Sequence, residues 1–322
     1  ISCSLVGSEM CIRDSCYTER REAVSMELRV LHYFLAVARE QSISAAAKSL
    51  HLSQPTLSTQ LKAMEEELGK QLLIRGTKGS RKVILTEEGM ILRKRAEEIL
   101  SLVKRTEDEI TRCDDAIVGD VYIGTGETDI IRFFAEAAKK IQKQNPDIHY
   151  HISSGNAEYV LEYLDKGLID FGLLFSNIDP QKYESIPIPI KDIWGVLMRQ
   201  DSPLAQKEVI CPEDLWDKPL IVSHQRGDDQ YLSQWLKKEL SKLNVVATYN
   251  LVFNASLLVD EGLGYALCFD KLINTQGSRL CFRPFSPQLE ASACIVWKKY
   301  QIFSKAAGRF LDCLRDLLEN PS

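Results

Sequence analysis

The stretch SISAAAKSLHLSQPTLSTQLKAMEEELG, residues 42–69, constrains the fold more than any other, because it writes two helices across a turn of only three residues. Ser42 or Ser44 supplies an N-cap for a helix through AAAKSL, whose alanines carry no propensity cost and let a neighbouring helix approach closely. HLS makes the turn, Ser53 is the next cap, and Pro55 falls in the first turn of the following helix, where its missing N–H is harmless. In that helix Leu57, Leu61, Met64 and Leu68 follow 4, 3, 4 spacing and must face inward. The opposite face then carries Pro55, Ser58, Thr59 and Lys62, which is small, polar and cationic. Short side chains of this kind let a helix approach base edges in a groove, with Lys62 meeting a phosphate, although an ordinary solvated face has the same composition.

The segment after this helix favours the groove. IRGTKGSRKVILT is a basic, glycine-punctuated hairpin that would bring Arg75, Lys78, Arg81 and Lys82 to a phosphate backbone or minor groove. Ahead of the helix pair, Leu28, Leu31, Phe34, Leu35 and Ala38 recur at helical spacing. Charge separates along the chain in the same sense. Residues 28–86 hold nine lysines and arginines against four acids, whereas residues 118–322 hold 22 against 27, so the overall charge of -5 conceals a polyanion-facing head.

These residues resemble the LysR-type transcriptional regulators. FLAVAREQSISAAAKSLHLSQPTLSTQLKAMEEELG is similar to that family's amino-terminal signature nearly position for position, and Arg75 and LTEEG follow as the family has them. The resemblance is strongest over residues 26–92 and weaker to the carboxyl end. It implies an all-α winged helix-turn-helix over residues 26–86, whose DNA contacts would come from Ser42, Ser53, Gln54, Pro55, Thr56, Ser58, Thr59, Lys62, Arg75, Lys78, Arg81 and Lys82. Two departures stand out: Leu73 occupies a place where the family usually has Phe, and the wing between Arg75 and Thr86 is about three residues longer than the common pattern. Residues 1–25 are read as a non-native extension, an adapter-like artefact, because ISCSLVGSEMCIRDS closely resembles the translated read-through of a sequencing adapter and lacks the charge and apolar core of a signal peptide.

Residues 87–115 predict a long linker helix. Leu92, Ala96, Ile99, Val103, Thr106 and Ile110 keep 4, 3, 4, 3, 4 spacing, the stripe of a coiled-coil seam. Leu92, Ala96, Ile99, Val103 and Ile110 are thus the expected dimerisation residues, and the family resemblance implies a homodimer or homotetramer.

From residue 118 strands and helices alternate. VYIGT, HYHIS and IDFGLLF read as strands, residues 129–144 and 159–166 as helices, and the same texture continues through IWGVLMR, PLIVS, a helix over 230–243, VATYNLV, a helix over 257–261, GYALCF and a terminal helix over 305–318. The length suits two α/β lobes, roughly 118–190 with 285–322 and 191–284, the chain crossing near 189–193 and returning near 283–287. This half resembles the two-lobed, periplasmic-binding-protein-like (type 2) effector domain of the same family.

Ligands of α/β lobes gather at the carboxyl ends of strands, where loops and helix N-termini present unpaired N–H groups. That places the candidate effector contacts at Gly126, Glu127, Thr128, Ser153, Ser176, Ser223, His224 and Asn254. Glu127 departs from the Ser or Thr that the family often carries, and its carboxylate would repel an anionic effector while capping its own helix.

Other chemistry is poorly supported. GTGETD fails as a dinucleotide fingerprint because Asp129 holds the third glycine position, and no G-x-S-x-G, Walker or H-E-x-x-H motif occurs, so no enzyme, cofactor or metal is expected. The nine cysteines show no C-x-x-C or metal spacing, and His149 and His151 have no third ligand nearby. No apolar run approaches the ~20 residues that cross a bilayer. The sequence therefore predicts a cytoplasmic DNA-binding transcriptional regulator with a small-molecule effector, double-stranded operator DNA and RNA polymerase as partners, and no membrane. Two rival readings are a thiol-redox sensor on the same frame, using Cys268 and Cys281, and a solute-binding protein of transport, against which the absent secretory signal and the basic head both speak.

Overall fold

The computed structural model describes residues 26–76, 82–111, 117–175, 178–224 and 228–320. Lys78, Arg81 and Ser176 lie outside them, as does the amino-terminal extension. The chain divides into one unit through Val103 and a second from Lys104.

In the first unit, α1 (Leu28–Glu40), α2 (Ile43–Ser49) and α3 (Gln54–Leu68) precede a two-stranded antiparallel wing, β1 (Leu73–Arg75) and β2 (Val83–Leu85), and the greater part of α4 (Glu87–Thr111), whose residues from Lys104 on belong to the second unit. The predicted caps form. The Ser42 hydroxyl accepts the Ala45 N–H at 3.3 Å, and that of Ser53 accepts the Thr56 N–H at 3.2 Å. Ala46 and Ala47 are buried where α2 meets its neighbours, and Leu57, Leu61 and Met64 join Val30, Leu31, Phe34 and Val37 in the core. Each such side chain withdrawn from water is worth roughly 1.5–3 kcal/mol. α1 ends at Gln41 in the left-handed region, φ 50°, and the Gln41 carbonyl accepts the Val83 N–H at 2.8 Å, which seats the wing. The LTEEG sequence has a steric reason: a Cβ at Gly89 would stand 2.2 Å from the Leu72 carbonyl oxygen, so only glycine lets α4 start against β1.

Along α4, Leu92, Ala96 and Leu100 are buried in this same core. The seam expected from the sequence is corrected accordingly. Leu92 and Ala96 belong to the chain's own core, while Ile99 and Ile110, further along the same stripe, are exposed, as are Met90, Ile91 and Leu102. Val103 is half-buried. A 3.5-residue stripe marks which residues are apolar but not how far along it a fold covers for itself.

The second unit is built on two sheet halves joined by one long strand. β3 (Gly119–Thr125), β4 (Ile148–Ser154) and β5 (Phe171–Leu174) run parallel, with α5 (Ile131–Gln142) and α6 (Ala157–Asp165) as crossovers. β6 (Tyr183–Arg199) then passes into the other half, where it pairs antiparallel with β9 (Tyr265–Phe269) and β10 (Leu280–Pro284), while β7 (Leu220–Ser223) and β8 (Val245–Tyr249) continue the sheet parallel to β9. α7 (Asp228–Leu236) and α8 (Val252–Asp260) belong to this half. β11 (Glu290–Lys298) returns, pairing with both β6 and β5, and α9 (Lys305–Glu319) closes the first half. Neighbouring Gly124 and Gly172 let α6 lie close on the sheet, since a Cβ at either would meet Val160 or Ile169 within about 2.7 Å.

The predicted helix over 230–243 is shorter: it ends at Leu236, Lys237 adopts φ 56°, and a separate 3-10 turn covers Leu240–Lys242. The helix expected at 257–261 starts five residues earlier, at Val252.

Candidate DNA-binding face and inter-lobe cavity

On α3 the core residues Leu57, Leu61 and Met64 leave Gln54, Pro55, Thr56, Thr59 and Lys62 exposed and Ser58 half-buried. Ser42 and Ser53 are occupied as caps, and the Ser44 hydroxyl donates to the Gln54 amide oxygen at 2.9 Å, tying α2 to α3. Lys82 is exposed on the wing. Arg75 requires a correction. Its Nη2 meets the Glu65 carboxylate at 2.8 Å, the other oxygen of which accepts the Leu72 and Leu73 N–H groups at 2.8 and 2.9 Å. Arg75 thus braces α3 against β1 instead of presenting a cation outward.

In the second unit a cavity of about 630 Å³ opens between the two lobes. Gly126, Glu127 and Ser223 of the expected contacts line it. The remaining described candidates do not. Thr128 is buried, its hydroxyl donating to Asp192 at 2.6 Å and accepting the Ile130 N–H at 3.0 Å. Ser153 is half-buried on β4, His224 is exposed with its backbone N–H on the Tyr249 carbonyl at 2.7 Å, and Asn254 is exposed on α8. Strand ends face both sheet edges, so position at a strand end does not by itself place a residue in the cleft.

What sequence reasoning missed is the aromatic wall. Phe175, Trp194, Phe269, Tyr231 and Tyr249 line the cavity, with Phe175 5.2 Å from Phe269 and Trp194 4.4 Å from it, ring centre to ring centre. Asn250 and Gln230 add amides, and residues 289–294 of the returning strand form one side. These come from segments far apart in sequence, and the only available signal was an aromatic closing each of two strands, in DFGLLF and ALCF.

Glu127 crosses the cleft. Its carboxylate accepts the backbone N–H of Val252, the first residue of α8, which has no side-chain cap of its own. Burial raises the Glu127 carboxyl above its ordinary range, and the Val252 N–H opposes that shift.

Elsewhere on the first lobe, Arg105 near the end of α4 pairs with the wholly buried Asp170 and donates to the Gly167 carbonyl at 3.0 Å. Its guanidinium lies 4.9 Å from the centre of the Tyr122 ring, and the second Asp170 oxygen accepts the Tyr122 N–H at 2.8 Å.

The thiol pair does not survive the topology. Cys268 sits on β9 opposite Gly195 and Cys281 on β10 opposite Met198, on opposite sides of β6. Two strand spacings are about 10 Å. A disulfide needs Cα atoms within about 7 Å. Burial also pushes the Cys268 thiol up to about 12.

Comparison with known proteins decides the family. Residues 28–90 match the bacterial regulatory helix-turn-helix protein, lysR family, and residues 115–319, more than half of the chain, match the LysR substrate binding domain. The chain is a LysR-family transcriptional regulator. Its relatives include the HTH-type transcriptional regulators YvbU of Bacillus subtilis, 24% identical over 91% of this chain and 99% of that one, and YnfL of Escherichia coli, 27% identical over 89% and 97%. The hydrogen peroxide-inducible genes activator of Dickeya chrysanthemi is 29% identical over 61% of this chain and 63% of its own. The regulator shares its fold with CbnR, a LysR family transcriptional regulator, at a TM-score of 0.73 and 19% identity over 92% of this chain and 100% of CbnR. It is a DNA-binding protein with an effector-binding domain, and no described helix is long and apolar enough to cross a membrane.

Proposed function

We propose that the regulator is a cytoplasmic homodimer or homotetramer that seats α3 in the major groove of operator half-sites, and that a small molecule in the inter-lobe cavity biases the arrangement of its DNA-binding heads and their dealings with RNA polymerase. The observation that carries the DNA-binding part is the division of α3 into a buried Leu57, Leu61, Met64 face and an exposed Gln54, Pro55, Thr56, Thr59, Lys62 face, short enough to reach base edges. A ligand whose affinity differs between two assemblies shifts their populations, which is all the coupling requires. The cavity supports that role by being lined from both lobes.

Operator fragments recovered by genome-wide binding-site mapping provide the test. Thr59→Glu places a negative charge on the exposed face of α3 and is expected to abolish binding to them while the melting temperature shifts by no more than about 4 °C, since surface substitutions change stability by ~0.5 kcal/mol or less. Full operator affinity in Thr59→Glu overturns the assignment of α3. Filling the cavity with Ser292→Trp is expected to leave operator binding intact and remove the response to inducer.

A further inference from the structure

The inter-lobe cavity carries a charge pattern that narrows its ligand. Among the described lining residues there is no Lys, Arg or His; the charged ones are Glu127 and Glu290, and Glu290 is already paired with Lys191 at 2.5 Å. Of the helices whose first turns line the cavity, α6 at Ala157, α7 at Gln230 and Tyr231, and α8 at Val252, the last is filled by the regulator's own carboxylate, because Glu127 accepts the Val252 N–H there. At α8 an anionic ligand would have to displace that carboxylate, and elsewhere in the cavity it would share a half-buried space with it. A cation meets the opposite situation: a carboxylate in the lining, hydroxyl and amide oxygens at Ser223 and Asn250, and the rings of Phe175, Trp194 and Phe269. Carboxylates form charge-assisted hydrogen bonds with ammonium groups, and aromatic faces attract them through their quadrupoles.

We propose that the effector of this regulator is an organic cation, a primary amine or amidine borne on an apolar or aromatic body, with its charged end on Glu127 and its body against the Phe175, Trp194, Phe269 wall. The proposal rests on the inter-lobe cavity being the effector site.

Three probes sharing one body separate the charge states: phenethylamine, phenylacetate and 2-phenylacetamide, with tryptamine and butylamine varying the body of the amine. Each is titrated calorimetrically into the full chain, into Glu127→Gln, whose amide oxygen can still accept the Val252 N–H, and into Ser292→Trp, which fills the cavity. At least one amine is expected to bind the wild-type chain more tightly than the amide and the carboxylate, and to lose about tenfold or more in Glu127→Gln, the loss expected for a hydrogen bond to a charged group. No amine should bind Ser292→Trp. Phenylacetate binding the wild-type chain as tightly as the amines, amine affinity unchanged in Glu127→Gln, or no amine binding at millimolar concentration overturns the proposal. The cavity and the charge class fail differently. A carboxylate that binds wild type but not Ser292→Trp leaves the cavity as the site and removes the cation, whereas probes that bind wild type and Ser292→Trp alike remove the cavity itself.

Discussion

Arg75 is held by Glu65 at 2.8 Å, with the guanidinium about one-third exposed and the carboxylate 11% exposed. Glu65 also accepts two backbone N–H groups from the start of the wing, so the pair fixes the angle between α3 and β1. Removing the guanidinium leaves a largely buried carboxylate without its cation, which costs roughly 1–3 kcal/mol. Arg75→Ala is therefore expected to lower the melting temperature and weaken operator binding, while the slope of log affinity against log salt stays that of wild type. Lys62→Ala should do the reverse, reducing the slope by about 1 without loss of stability. A smaller slope in Arg75→Ala would return that residue to the phosphate contacts.

The exposed stripe on α4 makes a separate prediction. Ile99 and Ile110 are 39% and 78% exposed, whereas Leu92 and Ala96 are spent on the chain's own core. If the stripe seats a second copy, a two-fold axis places each substitution in the interface twice. Ile99→Asp or Ile110→Asp should give a smaller assembly in sedimentation with the melting of the effector domain unchanged, and should weaken a full operator much more than a half-site. Leu92→Asp should instead unfold the DNA-binding unit. A wild-type sedimentation profile for Ile99→Asp and Ile110→Asp together would place the assembly contacts elsewhere.

The contrast between α3 and α8 explains how much of this molecule is legible in its sequence. α3 carries its signals locally: Ser53 caps it, Pro55 sits in the first turn, Gly69 ends it with φ 61°, and Leu57, Leu61 and Met64 mark its buried face. All of these lie within or directly beside the helix itself. α8 begins after Leu251 with no local cap, and the group that satisfies its first N–H is Glu127, 125 positions earlier. A cap supplied from the other lobe leaves no trace at the helix start, which is why the sequence around Val252–Asp260 reads as a strand running into a shorter helix. The cavity suffers from the same cause. Gly126, Glu127 and Ser223 are visible as strand-end residues, but Trp194 on the crossing strand and residues 289–294 on the returning one enter the site through β6 and β11, whose register is set by the folded sheet.

Arg105 and Asp170 give a sharper stability prediction, since the carboxylate is wholly buried and the guanidinium side chain 14% exposed. Breaking a buried ion pair from one side costs about 3–5 kcal/mol, because the remaining charge stays out of water. Arg105→Ala should therefore move the urea midpoint of the effector domain substantially, and Asp170→Asn in the same chain should recover part of the loss by removing the stranded charge. If Arg105→Ala unfolds at the wild-type midpoint, the pair contributes nothing net.

Asp192 predicts a pH dependence of stability. It lies on β6 opposite Ala291 of β11, is 5% exposed, and accepts the Thr128 hydroxyl at 2.6 Å. Burial raises its carboxyl to about 6, with Asp129 and Asp270 adding to the shift and the Thr128 hydrogen bond and Lys271 opposing it. An acid whose pKa is higher in the folded state binds its proton more tightly there, so between roughly pH 4 and 6 the native chain holds more protons at this site than the unfolded one. The contribution of the neutral carboxyl is thus fully present below about pH 4 and lost as the pH rises through 6. A shift of about two units corresponds to at most about 3 kcal/mol. Asp192→Asn keeps an oxygen for the Thr128 hydroxyl and cannot ionise. It is expected to match wild type in urea unfolding near pH 3.5 and to exceed it increasingly up to pH 7, after which the difference should level off. A stability difference that does not change between pH 4.5 and 7.5 would mean that Asp192 titrates alike in the folded and unfolded chains, and that the pairing with Thr128 offsets its burial.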